Sequence, residues 1–219
     1  LDTDGKEITS AKEAAELYGY GSPLHQMFRI LRPISGEGVG GIPTVAYPQV
    51  SDVAAAATEH EWTVTGTATA NAVHTILIAG RSSVDFMEYK YSVVIDDTPT
   101  AIATKIKDAI NAVLGSPVTA TSALGVVTIT TKWEGITSAA LVTKIDYANA
   151  AGLSYSKTAE TLGSGTVSLA GALAQFGDTW NTIVINPYGT DQLTDLETYN
   201  GIPDAENPTG RYAGLIFKP

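Results

Sequence analysis

Residues 89–132 admit few folds, because the hydrophobic period there changes from two to about 3.6 and back again. Tyr89, Tyr91, Val93 and Ile95 alternate with Lys90, Ser92 and Val94, the pattern of a strand with one buried face. Asp96, Asp97, Thr98 and Pro99 interrupt it. Thr98 is placed to cap a helix whose first position is Pro99, where a missing N–H costs nothing. Ile102, Ile106, Ile110 and Val113 then recur at helical spacing, opposite Thr104, Lys105, Asp108 and Asn111, and Gly115 supplies a stop. Residues 118–121 and 126–131 resume the β pattern around a Leu124 and Gly125 turn. The expected unit is an α+β one, with one amphipathic helix covering one face of a sheet.

The flanking sequence has a different texture. Ser10 and Glu13 fit a capping box, which predicts a short helix to about Leu17, ended by Gly19. Ser22 and Pro23 open a second helix with Leu24, Met27, Phe28 and Leu31 on one face, closed by Pro33. Pro43 and Pro48 leave room only for a short or edge strand over 44–47, and residues 50–58 read as a helical turn or a linker. Strands are expected around Trp62, Val64 and Thr65 and again over 75–79, so that residues 60–148 make one sheet of five or six strands. A Thr/Ser/Gly-rich connection follows Gly152. Residues 169–176 read as a helix and 182–185 as an apolar strand. Thr190 caps a helix carrying Leu193, Leu196 and Tyr199, Gly201 ends it, and 212–217 is a further strand. Strand, helix and strand in that order form a crossover, which requires a parallel pair. The expected fold class is mixed α+β and α/β. A discontinuous α/β domain of residues 1–57 plus 151–219 carries an inserted β-rich domain, 58–150, with one helix.

Composition narrows the function. The chain has 219 residues and no cysteine, which removes disulfides, thiolate metal sites and cysteine nucleophiles. A net charge of −10 argues against a basic face for nucleic acid. No apolar run is long enough for a bilayer, and Leu1 opens neither a signal peptide nor a natural start, so the chain reads as a piece of a longer soluble protein.

Each candidate for chemistry has a simpler structural reading. Gly36, Gly38 and Gly41 have the letters of a dinucleotide fingerprint, but Pro43 and Pro48 deny it the following helix, so a plain loop is expected. Gly163, Ser164 and Gly165 lack the rest of a phosphate loop, and no nucleophile elbow occurs. His25, His60 and His74 show no paired ligand spacing and read as structural or solvated. Asp96 and Asp97 are explained by the positive end of the helix they precede. Asp2 and Asp4 resemble the start of a calcium loop without its closing glutamate. Trp62, Trp133 and Trp180, with Tyr18, Tyr20, Tyr47 and Tyr188, are read as core or interface residues before a sugar platform. No catalytic, cofactor or metal residue is expected.

The order of segments resembles a known family. Residues 8–24 are similar to its stretch around a glycine-glycine-serine turn. The likeness continues through 62–69, 76–80, 98–112, Pro117 to Ala120, and 126–132 with Gly135. It resumes in Leu169, Ala170, Gly171 and Ala172, in Trp180 to Val184, and in Leu193 to Leu196. The family is the contractile phage tail sheath proteins of the myovirus type. The resemblance implies a non-enzymatic subunit in helical rings around a tail tube, which contracts to drive the tube into a target cell and serves viral genome ejection. Its implied partners are other sheath subunits, the tube protein, the baseplate and the tail terminator, with no direct nucleic acid and no membrane insertion. Its implied place is the virion tail, after synthesis in the host bacterial cytoplasm. It also implies terminal arms and a C-terminal domain outside this stretch, so the isolated chain is expected to be monomeric. A carbohydrate- or cell-surface-binding module is the alternative.

Overall fold

A computed structural model describes residues 3–36, 38–80, 86–176, 183–188, 195–196 and 215–217. Ser10 caps α1 (Ala11–Tyr18), its hydroxyl accepting the Glu13 amide at 3.1 Å. The reciprocal half of the capping box falls one residue early, for the Glu13 carboxylate accepts the amide and hydroxyl of Thr9, both at 2.8 Å. Ser22 caps α2 (Pro23–Leu31) through the His25 amide. The two helices enclose a small core of Ile8, Ala11, Ala14, Phe28 and Ala46, flanked by Tyr18 and Leu24. Beside it lies an antiparallel ribbon of β1 (Lys6–Glu7) and β2 (Val45–Ala46). β2 is the short strand that the two prolines allow. β1 was not anticipated, because two residues carry no periodicity.

The β-rich unit contains β3 (Ala57–Thr65), β4 (Ala72–Ala79), β5 (Met87–Val93), α3 (Pro99–Asn111), β6 (Val118–Ala123), β7 (Val126–Glu134), β8 (Val142–Asp146) and β9 (Ser154–Thr161). The strands divide between two antiparallel sheets, ordered β6-β7-β3-β9 and β5-β4-β8, where the alternation alone suggested one. The cause lies in the connection from β3 to β4, which leaves the first sheet at Gly66. That glycine has φ +87, and a Cβ on it would sit 2.3 Å from the Gly152 carbonyl oxygen. Ala68 and Thr69 are then bound to Asp97 and Ala151 by backbone hydrogen bonds of 3.0 and 2.8 Å, fixing the corner at which the chain changes sheets.

The core takes three of the four positions marked by the helical period, while Val113, the fourth, lies beyond the end of α3 and is 37% exposed. Ile102, Ile106 and Ile110 of α3 are wholly buried, against β5 of one sheet and β3, β6 and β7 of the other. Tyr89, Tyr91 and Val93 face the same core, but Ile95, the fourth member of that alternation, is 51% exposed. The strand has ended by then, and Asp96 turns the chain with φ +70. α3 ends at Asn111, ahead of Gly115, because the Asn111 side chain pairs with both backbone groups of Ala120, donating at 2.8 Å and accepting at 2.9 Å. Leu124 and Gly125, both at positive φ, form the two-residue turn between β6 and β7.

β9 occupies the stretch read as a connection. It pairs antiparallel with β3, which brings residues 154–161 into the sheet of the β-rich unit. Seven of its eight residues are exposed, so no hydrophobic alternation marked it. Beyond it α4 (Ala170–Phe176) reaches the N-terminal segment: Gly5 donates to Gln175 Oε1 at 2.7 Å, Gln175 Nε2 donates to the Thr3 carbonyl at 3.0 Å, and the Tyr47 and Phe176 rings meet edge to face at 4.6 Å. β10 (Ile183–Ile185) and β11 (Leu215–Phe217) are the expected parallel pair. Most of the helix expected between them lies outside the described residues, as do Gly201 and Trp180.

Candidate functional site

The glycine-rich run from Gly36 is a loop. The Arg32 guanidinium holds its far end, donating to the Gly40 and Ile42 carbonyls at 2.6 Å each, and the Val39 amide returns to Leu31 at 2.9 Å. With both ends tied to α2, its backbone is engaged internally. Gly163 and Ser164 serve β3 in a similar way: the Gly163 amide donates to Thr58 Oγ1 at 2.7 Å, and Ser164 bridges to Ala56. A Cβ on Gly163 would lie 1.9 Å from Ser138 Oγ, which accounts for glycine at that position.

Asp96 and Asp97 diverge. Asp96 is exposed, whereas Asp97 Oδ2 accepts the Val94 amide at 2.7 Å and the Lys105 ammonium at 2.5 Å. Burial acts to raise the Asp97 pKa, but Lys105 and the Val94 amide outweigh it and hold the carboxyl below its ordinary value. The pair therefore ties the strand end to the helix it precedes. Asp4 is exposed and Asp2 lies outside the described residues. Among the described residues no three histidine or carboxylate side chains converge as a metal site would require.

All three histidines are buried. His25 Nδ1 accepts the Gly21 amide at 2.9 Å, closing the turn before α2, and burial with the charges of Arg29 and Lys132 lowers its pKa. His60 lies between the two sheets. Its Nδ1 is 2.8 Å from Thr143 Oγ1 on β8, and its Nε2 is 2.7 Å from Glu160 Oε1 on β9. Nε2 faces a carboxylate, which can only accept, so the imidazole proton is assigned there, and Thr143, which also accepts the Trp62 indole N–H at 2.9 Å, donates to Nδ1. Burial depresses the His60 pKa, with Lys157 acting in the same direction and Glu160 opposing it. Lys157 Nζ sits 2.9 Å from the same Glu160 oxygen, and this bond holds the Glu160 carboxyl below its ordinary value.

His74 anchors a third network. Its Nε2 meets the Asn149 carbonyl at 2.7 Å and its Nδ1 meets the Tyr155 hydroxyl at 2.6 Å, with the rings of Tyr91, Tyr147 and Tyr155 packed around it. The imidazole proton goes to the carbonyl, so Tyr155 donates to Nδ1. Burial raises the Tyr91 pKa and pushes that of Tyr155 up to about 12, so neither phenol supplies a base near neutral pH. Thr143 stands 83 residues from His60 and Tyr155 81 residues from His74 in sequence, and no local motif signals them.

Among the described residues, the aromatic side chains named for a sugar platform are engaged separately, and Trp180 lies outside the described residues. Trp62 and Trp133 both spend their indole N–H on threonines, Thr143 and Thr137. Tyr20 packs on His25, and Tyr47 on Phe176. Among the described residues no helix is long and apolar enough to cross a membrane. These arrangements brace strands and join sheets, and the ionisable side chains in them are neutral, paired or buried.

No protein-family model matches the chain. It is similar to the Mu-like prophage FluMu tail sheath protein of Haemophilus influenzae, with 26% identity over 197 residues. That alignment takes in 88% of this chain, and the chain spans 37% of the length of that relative. At that distance the comparison relates the chain to a prophage tail sheath protein.

Proposed function

We propose that the chain forms part of the body of a contractile tail sheath subunit, a structural and non-enzymatic protein that assembles in helical rings around a tail tube in the virion tail. The observation that carries this reading is the similarity to a tail sheath protein along 88% of the chain. The fold is compatible with it. The buried polar groups hold strands together: His60 lies against Thr143 and Glu160, and His74 bonds Tyr155 and the Asn149 carbonyl. On this reading the subunit acts through its contacts with other sheath subunits, the tube, the baseplate and the terminator, and works without metal or cofactor.

The same reading includes a discontinuous body. The bonds from Gly5 and Thr3 to Gln175 and the contact of Tyr47 with Phe176 favour residues 1–57 and the chain after the β-rich unit sharing one domain. The pairing of β9 with β3 favours placing the end of the insert after Thr161 instead of at residue 150.

Electron microscopy of particles carrying the whole gene product tests the proposal. Gold-labelled antibody against this chain is expected along the outside of the tail, over its full length. Label confined to a capsid, a fibre or a baseplate overturns it.

A further inference from the structure

The contact between the α1–α2 pair and the β-rich unit is tighter than two units joined by a linker require. Gly21, at φ +85 in the turn between the helices, approaches Ser116 so closely that a Cβ there would lie 1.9 Å from the Ser116 carbonyl oxygen. Both residues are buried, and so is His25, whose ring accepts the Gly21 amide and reaches to within 3.5 Å of a Cβ position on Gly115. Ser116 is itself fixed from behind, its Oγ accepting the hydroxyl of core residue Tyr89 at 2.8 Å.

Polar bonds surround this centre. Gln26 Nε2 donates to the Gly115 carbonyl at 2.9 Å. At the rim the Lys132 ammonium donates to one carbonyl from each side, Tyr20 and Leu114, both at 3.1 Å. The Gly115 carbonyl, left over where α3 gives way to β6, is thus satisfied by Gln26 of the helical pair, and the Tyr20 carbonyl of that pair by Lys132 of β7, so separation would cost bonds on both faces at once.

We infer that the α1–α2 pair and the β-rich unit are one rigid body, locked by a joint with Gly21 at its centre. Domains in one chain ordinarily move relative to each other unless their interface is extensive and well packed. Here a backbone-to-backbone approach replaces area as the means of fixing the angle. The coupling belongs to the chain whatever its role. Only its consequence rests on the sheath reading: the β-rich unit then follows the helical pair through any change of subunit packing.

Residual dipolar couplings of the 219-residue chain in solution test the coupling without any assembly. One alignment tensor is expected to fit amides of α1, α2 and the β-rich unit together. Gly21→Ala, which forces the joint open, is expected to require two tensors, each fitting its own unit and so showing that both remain folded. A second variant, Gln26→Ala with Lys132→Met, removes the surrounding bonds without crowding and is expected to speed exchange of the Gly21 amide by about tenfold. Two tensors for the unaltered chain overturn the inference. So does a single tensor in Gly21→Ala, and, should that variant fail to fold, unchanged Gly21 exchange in the second variant decides against it. Loss of the coupling would leave the sheath reading untouched, since that is decided on particles.

Discussion

Truncating Ile106 to alanine gives a sharp test of the β-rich core. Ile106 is wholly buried at the middle of α3, facing strands of both sheets. The change removes about three methyl or methylene groups, each worth ~0.8 kcal/mol of transfer free energy. The rigid neighbours Ile102 and Ile110 and the strands behind them limit collapse into the space, which adds a cavity cost and brings the total to ~3 kcal/mol, within the usual 2 to 5 for such sites. Alanine's better helix propensity returns only ~0.4 kcal/mol. Urea unfolding followed by tryptophan emission, to which Trp62 and Trp133 of this unit contribute, reads the loss directly. With a slope of about 2 kcal/mol/M, the midpoint should fall by ~1.5 M. Ile95→Ala, at the exposed end of the alternation, is the matched control and should move it by less than ~0.3 M. A fall below ~0.5 M for Ile106→Ala, or equal falls for the two variants, would refute the assigned face.

The β6–β7 turn and the titrating groups give two further tests. Leu124 is 92% exposed at φ +47, so Leu124→Asn should stabilise the chain by ~0.5 to 1 kcal/mol, read as a higher urea midpoint, and a lower midpoint would contradict the turn. The pKa values of His25 and His60 lie below 6.5 in the fold, so the unfolded chain takes up protons first and stability should decline as pH falls below 6.5. Glu13 and Glu160, held below 4.5, and Asp97, held below 3.8, extend that loss to more acid pH. A melting temperature unchanged between about pH 7.5 and pH 5 would contradict this.

The sequence was most informative where periodicity and caps coincide. Thr98, Pro99 and the three isoleucines placed α3 and its buried face, and Ser10 and Ser22 placed both N-terminal helices. It was least informative where burial is shared between distant segments. Period-two alternation in β3 and β4 shows that each has an inner face, but it carries no record of which partner lies alongside, so one sheet was expected where two exist. β9 escaped because an edge strand exposed on both faces has no alternation to show. The three histidines show no paired ligand spacing in the sequence. Their actual work was invisible, because the bonds of His60 to Thr143 and Glu160 arise from tertiary pairing, and a lone histidine reads the same whether it is solvated or buried.

The position of β3 between β7 and β9 bears on how the chain acquires its fold during synthesis. α3, β6 and β7 are neighbours in sequence, and the Asn111 clasp on Ala120 spans nine residues, so this group can form as soon as it leaves the ribosome. β7 then captures one side of β3. The other side waits for β9, where the Thr63 and Thr158 hydroxyls meet across a separation of 95 residues. At roughly 5 to 20 residues per second, the interval between completing β7 and completing β9 is a few seconds, during which β3 offers an unpaired hydrogen-bonding edge. Nascent chains on one polysome present that edge to one another, and cotranslational mispairing through β3 is therefore the characteristic hazard of this topology.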